Sequence, residues 1–261
     1  MDLDLTGRQA LVTGSTGGIG LAIATGLAAQ GAHVWINGRS PAGVAAATAT
    51  IRAALPAAEL SGIAADLLTA EGVETLTRAV PEVDILVNNL GAVNVRKSFD
   101  DLSDAEWQEM FDVNVMSGVR VTRHYLGSMR KRDWGRIVFV SSEAALQVPP
   151  ELIHYAAAKA ATIAISRGIA ELFAGTGVTV NSVIPGPTMA RGLTKRIAES
   201  GKSEADYAAE FFRTMRPTSL IRRFTTTEEI ANLVVYLCSP AASATHGAAL
   251  RVEGGILKNA F

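Results

Sequence analysis

Residues 13–20 read TGSTGGIG. Four glycines, Gly14, Gly17, Gly18 and Gly20, stand between the apolar runs QALV and LAIATGLAA. Glycine loses the most backbone freedom on folding and weakens regular structure, so a cluster of it marks a special turn. A strand, a glycine-rich turn and a helix together make the setting in which dinucleotide phosphates bind. Backbone N–H groups and the positive helix end face the anion, and the missing Cβ atoms let the chain approach it. A nucleoside-triphosphate loop would need Gly-Lys-Ser/Thr, and no lysine follows here. A tight turn alone would also explain the glycines, so the rest of the chain must decide.

Outward from this turn, apolar runs alternate with helical stretches. RQALVT (8–13) reads as a strand, 18–30 as a helix ended by Gly31, and AHVWIN (32–37) as the next strand. Ser40 and Pro41 supply an N-cap and a first-turn proline for a helix to about Leu55. Further strands are expected at 60–65, 83–89, 135–142, 177–185 and 248–254. Thr69 caps a helix to about Val80. Capping boxes at Ser103/Glu106 and Thr226/Glu229 open helices to about Lys131 and Ser239, and another helix covers 153–174. Strands this continuously apolar are buried on both faces, as in a parallel sheet covered by helices. The predicted class is α/β, a single domain over 1–261 with a doubly wound parallel sheet of about seven strands.

Residues 187–225 break the rhythm, being longer than a usual connection. Tyr207, Phe211 and Met215 recur at helical spacing there, beside Ala208 and Phe212. They predict an amphipathic helix, either core packing or a substrate lid. Its place after a strand's carboxyl end favours the lid.

Composition narrows the function. With 48% apolar and 19% charged residues and a net charge of −1, the chain can build a large core and carries no broad footprint for nucleic acid or anionic lipid. The cluster Arg130-Lys131-Arg132 reads as cations at a helix C-terminus. The single cysteine, Cys238, lies on an apolar helix face and reads as an inert core thiol. MDLDLTGRQ has no signal-peptide character, and no stretch is long enough to span a bilayer. A cytoplasmic protein is expected. The four histidines are dispersed without metal-ligand spacing.

The turn's spacing, Thr-Gly-x-x-x-Gly-x-Gly, resembles that of the short-chain dehydrogenase/reductase family. NNLG (88–91), Asn114 in DVNV, Ser142 at a strand end, Tyr155-x-x-x-Lys159, PGP (185–187) and VEGG (252–255) follow in that family's order. The resemblance spans nearly the whole chain and implies a Rossmann-like fold. The members most similar are the 3-oxoacyl-carrier-protein-reductase-like ones.

Tyr155 and Lys159 lie four apart on one helix, so their side chains share a face. A phenol with a pKa of about 10 is a poor base at neutral pH, and a nearby ammonium favours its ionised form. The resemblance implies that Tyr155 exchanges a proton with the substrate oxygen and that Ser142 orients it. Lys159 would bind the nicotinamide ribose and lower the tyrosine pKa. Asn114 would hold a water linking Lys159 to solvent. Hydride transfer between a nicotinamide and a carbonyl or alcohol carbon is the implied reaction.

The resemblance also places cofactor contacts at Gly14, Ser15, Thr16, Gly18, Ile19, Gly20, Asp66, Leu67, Asn88, Gly91, Pro185, Gly186 and Thr188. At the end of the second strand Gly38 stands where an NAD-preferring fold carries an acidic residue, and Arg39 follows. No carboxylate is there to repel a 2′-phosphate, and a guanidinium is there to pair with one, so NADP(H) is favoured over NAD. Ser15 and Ser40 could add hydroxyl donors. Leu90 replaces a common alanine and should crowd the turn.

The segment EAALQVPPELIH (143–154) should border the substrate with Glu143, Gln147 and His154 as polar groups; Glu143 would either meet a cationic or hydroxylated substrate or point to solvent, the latter favoured. Leu90, Val93, Val95, Phe211 and Phe212 suggest a partly apolar pocket. Three functions stay open: a carbonyl reductase or alcohol dehydrogenase, a sugar or polyol dehydrogenase, and a cofactor-sensing binding protein. The resemblance and the alanine-rich face YAAAKAATIAIS also imply a homo-oligomer, a dimer or tetramer.

Overall fold

The computed structural model describes residues 2–93 and 97–260. Seven strands form one sheet: β1 (Gln9–Val12), β2 (His33–Gly38), β3 (Leu60–Ala64), β4 (Ile85–Asn88), β5 (Gly135–Val140), β6 (Val178–Pro185) and β7 (Ala249–Val252). Their spatial order is β3-β2-β1-β4-β5-β6-β7, with every neighbouring pair parallel. The chain starts in the middle at β1, winds out to β3, then returns to β4 on the other side. The crevice at the carboxyl ends of β1 and β4 is therefore the switch point where open α/β sheets bind ligands.

The helices are α1 (Gly18–Ala29), α2 (Pro41–Ala54), α3 (Ala70–Ala79), α4 (Asp104–Phe111), α5 (Ser117–Arg132) and α6 (Ile153–Glu171). After β6 come α7 (Arg191–Ser200), α8 (Glu204–Thr214) and α9 (Thr227–Cys238). Alternate strand residues feed two cores. Val12, Ile85, Val87 and Val138 pack with Ile23 and Leu27 of α1, Ile51 of α2 and Val234 of α9. Leu11, Leu86, Ile137 and Phe139 pack with Leu76 of α3, Val121 and Tyr125 of α5 and Phe173 after α6. Both faces are covered, which is why the strands lack polar alternation. Cys238 is buried in the first core, its thiol pushed up to about 12 by desolvation.

Two expectations change. The predicted continuous helix over 103–131 is interrupted by one wide turn at Asp112–Met116. Asn114 causes local competition for the backbone: its amide donates to Met110 O (3.1 Å) and to Ala92 O (2.9 Å), while Oδ1 accepts from Ala92 N (3.2 Å). Ser117 Oγ also bonds back to Val113 O (2.8 Å). Side chains that engage the helix carbonyls in this way widen a turn.

The 187–225 segment holds two helices, not one. Gly201, at φ +68°, ends α7, and Ser203 caps α8 by accepting from Asp206 N (3.1 Å). Leu193, Ile197, Phe212 and Phe224 form a satellite core between them. Phe212 is its most buried α8 residue, whereas Met215, past the helix end, is 41% exposed.

Candidate active site

The glycine turn connects β1 to α1 at the switch point. Gly14 (φ +62°) and Gly18 (φ +55°) are left-handed, a conformation that costs L-residues energy. At Gly20 a Cβ would come within 2.4 Å of Asn89 Nδ2 and 2.6 Å of Gly14 O, so the turn closes only around glycine. Leu90 does crowd it: the site of a Cβ on Gly14 lies 3.1 Å from Leu90 Cα.

Helix α1, like α6 and α7, begins without a side-chain cap, its N-cap being Gly17. Its orphan N–H groups open on a cleft of about 400 Å³ lined by Gly14, Gly17, Ile19 and Gly20. An uncapped, positively polarised helix end in a cleft of this size fits a dinucleotide phosphate.

Thr16 and Arg39 are exposed near this turn. A Cβ at Gly38 would stand 2.3 Å from Thr16 Cγ2, so a side chain at that position would require Thr16 to move. Ser40 accepts from Gly43 N (3.2 Å) as the α2 cap. Ser15 does not offer a free hydroxyl: fully buried, it donates to Val12 O (2.7 Å) and accepts from Asn37 N (3.0 Å). Asp66 is half-buried and accepts from Leu68 N (3.1 Å), while the Leu67 side chain belongs to the second core.

Asn88 is corrected by its neighbour. It continues the face of Leu86, so its amide points under α5 and donates to Thr122 Oγ1 (2.9 Å). Asn89 lines the cleft and donates to Thr13 O (2.9 Å) and Gly14 O (3.1 Å), tying β4 to the glycine turn. The period-two alternation of β4 could have made this distinction from the sequence.

On the opposite wall stand Ser142, after β5, and Tyr155 and Lys159 of α6, with Pro185, Gly186 and Thr188 from the end of β6. Thr188 Oγ1 donates to Gly186 O (2.8 Å), holding that turn. Ser142 Oγ accepts from Ala144 N (3.2 Å), which leaves its own proton to donate. Lys159 is buried, with Nζ donating to Val140 O (3.0 Å). Gly91 lets the chain pass close to both side chains: a Cβ there would be 2.8 Å from Asn114 Oδ1 and from Lys159 Nζ.

The expected lowering of the tyrosine pKa is not what the protein groups around it produce. Burial pushes Tyr155 up to about 12; a hydrogen bond from Ser142 opposes this, and the charge of Glu143 adds to it. Lys159 Nζ sits 5.9 Å from the tyrosine ring centroid, and burial pushes that ammonium down to about 8. The phenol is therefore held protonated at neutral pH.

The lysine shift has a stability consequence. Its folded pKa lies below its ordinary 10.5, so between about pH 8 and 10.5 the unfolded chain binds more protons. Stability from this residue rises with pH across that window, and below it the buried charge costs up to about 3 kcal/mol. Lys159→Met is expected to raise the melting temperature of the cofactor-free protein at pH 7 and to narrow its gain by pH 10. Thermal melts at both pH values check this, and a variant less stable at pH 7 would contradict it.

Between this wall and the α7–α8 segment lies a smaller cavity, and here Glu143 departs from expectation. It is buried, and its Oε1 accepts from Arg216 Nε (3.0 Å) and pairs with Nη2 (2.9 Å). His154 is also buried, turned edge-on to the Trp107 ring and away from the cavity. Val93 and Phe211 line the cavity, whereas Leu90 and Phe212 pack into cores. Val95 lies outside the described residues. Arg196 and Arg216 were not foreseen as lining residues, and no spacing in the sequence marks either.

The short-chain dehydrogenase model matches residues 8–200. The chain belongs to the short-chain dehydrogenase family. YvaG, an oxidoreductase of Bacillus subtilis, is 46% identical to this short-chain dehydrogenase over the whole of both chains. D-beta-hydroxybutyrate dehydrogenase of Cupriavidus necator is 34% identical, over 96% of this chain and 98% of that one. L-Sorbose reductase of Gluconobacter frateurii, solved with NADPH and L-sorbose, superimposes with a TM-score of 0.91 at 31% identity, over 99% and 100% of the two chains. This short-chain dehydrogenase is thus an NAD(P)-dependent oxidoreductase acting on CH–OH or C=O groups. Among its described residues no helix is long and apolar enough to cross a membrane.

Proposed function

We propose that the protein is an NADP(H)-dependent carbonyl reductase, working reversibly as an alcohol dehydrogenase, with Tyr155 as its proton donor and acceptor. The observation that carries this reading is convergence. Ser142, Tyr155 and Lys159 open on the same cleft as the uncapped glycine turn. A cofactor sensor would have no need of the three.

A bound nicotinamide cofactor would supply the hydride. The chain does the rest. Gly14, Gly18 and Gly20 would hold its phosphates through backbone N–H groups. Ser142 donates a hydrogen bond to the substrate oxygen and fixes its direction. Tyr155, kept protonated by burial, gives that oxygen its proton. Lys159 would hold the ribose hydroxyls, and Asn114, close to it across Gly91, would hold a water linking Lys159 to solvent. The two helices of 187–225 cover the substrate as a lid.

Preference for NADP(H) rests on exposed Arg39 beside Gly38, a position that carries no carboxylate to repel a 2′-phosphate. Arg39→Ala is expected to weaken NADPH binding roughly ten- to hundredfold, the worth of a charge-assisted hydrogen bond, with little effect on NADH. Fluorescence titration of both cofactors checks this. Tighter binding of NADH than NADPH by the unaltered protein would overturn it.

A sugar or polyol substrate is the second reading. It is favoured by the charged groups in the cavity beside Tyr155 and by the likeness to a sorbose reductase.

A further inference from the structure

The cavity beside Tyr155 has a volume of about 160 Å³. That is room for roughly five waters, given about 30 Å³ each. Its walls carry two guanidiniums, Arg196 from α7 and Arg216 after α8, and one carboxylate, Glu143. Glu143 and Arg216 neutralise each other, and a further Arg216 N–H is spent on Met215 O (2.8 Å). Arg196 is different. Its Nε donates to Gly192 O (3.3 Å), and no carboxylate among the described residues lies within salt-bridge distance of it. Arg196 thus gives the cavity one positive charge in excess, and it also borders the larger cleft beside Tyr155 and Ser142.

We propose that this cavity takes a short oxo acid, and in the reverse direction its hydroxy acid, with the substrate carboxylate paired to Arg196 and the reacting carbonyl at Tyr155. This rests on the carbonyl-reductase reading above. A guanidinium presents two parallel N–H groups that match a carboxylate, and pairing in a partly enclosed site is stronger than in water. The Glu143–Arg216 pair, buried on both sides, and the volume of about 160 Å³ leave little room for a long acyl chain. Four to six carbons fill the space. In the reaction the carbonyl π bond is broken, and one C–H and one O–H bond form. The hydride comes from the C4–H bond of the reduced nicotinamide, which would be oxidised by two electrons, and the proton comes from the Tyr155 O–H bond.

The test pairs oxo acids of four to six carbons with their methyl esters, which keep the carbonyl and remove the charge. Consumption of NADPH is followed with each, alongside neutral ketones, acyl thioesters and ketoses. The expected result is a kcat/KM at least tenfold higher for an acid than for its ester, falling as salt is raised. Arg196→Gln should lower that acid-to-ester ratio at least tenfold through KM, with Arg196→Lys recovering part of it. Arg196 is exposed, so neither substitution threatens folding. Turnover of esters, thioesters or ketoses in preference to every acid would overturn the proposal while leaving the carbonyl-reductase reading intact. A Gln variant that loses NADPH affinity but keeps the acid-to-ester ratio would also overturn it, assigning Arg196 to the cofactor. No turnover of any carbonyl would instead defeat the reading on which it rests.

Discussion

Tyr155→Phe is expected to lower kcat by about 10²- to 10⁴-fold, the range for loss of a positioned general acid. The substitution removes one oxygen and leaves the ring. Tyr155 is packed among Met110, Val115 and Ala158, so the phenylalanine ring keeps those contacts. NADPH binding should be retained, because the glycine turn, Arg39 and Lys159 are untouched. Burial pushes the phenol up to about 12, so at neutral pH its oxygen carries the proton that the variant lacks. Full activity in the variant would remove Tyr155 from the mechanism.

Arg216→Ala is expected to destabilise the fold by about 3–5 kcal/mol, because it strips a buried carboxylate of its guanidinium. In melting temperature that is roughly 6–20 °C for a domain of this size. Exposures of 10% and 7% for the two side chains place the pair out of reach of solvent screening. The double substitution Glu143→Gln with Arg216→Gln should recover much of the loss, since no charge remains buried. Chemical denaturation of the single and double variants reads the coupling. A single variant within about 1 kcal/mol of the parent, the usual worth of a surface pair, would show that the pair is solvent-screened.

The sheet was legible because its signal is local. Val12, Val87, Val138 and their neighbours announce two-faced burial directly, and the caps at Ser40, Ser103 and Thr226 appear where the sequence puts them. What escaped was set by partners distant in the chain. Glu143 reads as a solvated carboxylate until Arg216, 73 residues on, is folded beside it. The wide turn at Asn114 depends on Ala92, which no helix periodicity contains. Asn88 and Asn89 differ only in strand parity, a signal that was present but masked by their identical side chains. In 187–225 the apolar spacing marked α8 but not its partner α7, whose Leu193 and Ile197 form too short a stripe to stand out.

The central claim is that this site transfers a hydride and is not merely a place where a cofactor rests. The most direct measurement is the loss of reduced-nicotinamide absorbance when purified protein and NADPH meet the panel of oxo acids, ketones, thioesters and ketoses. Stoichiometric oxidation of NADPH with formation of the matching alcohol, lost in Tyr155→Phe, is the predicted result. Tight NADPH binding with no oxidation across the whole panel would contradict the account and leave a cofactor sensor in its place.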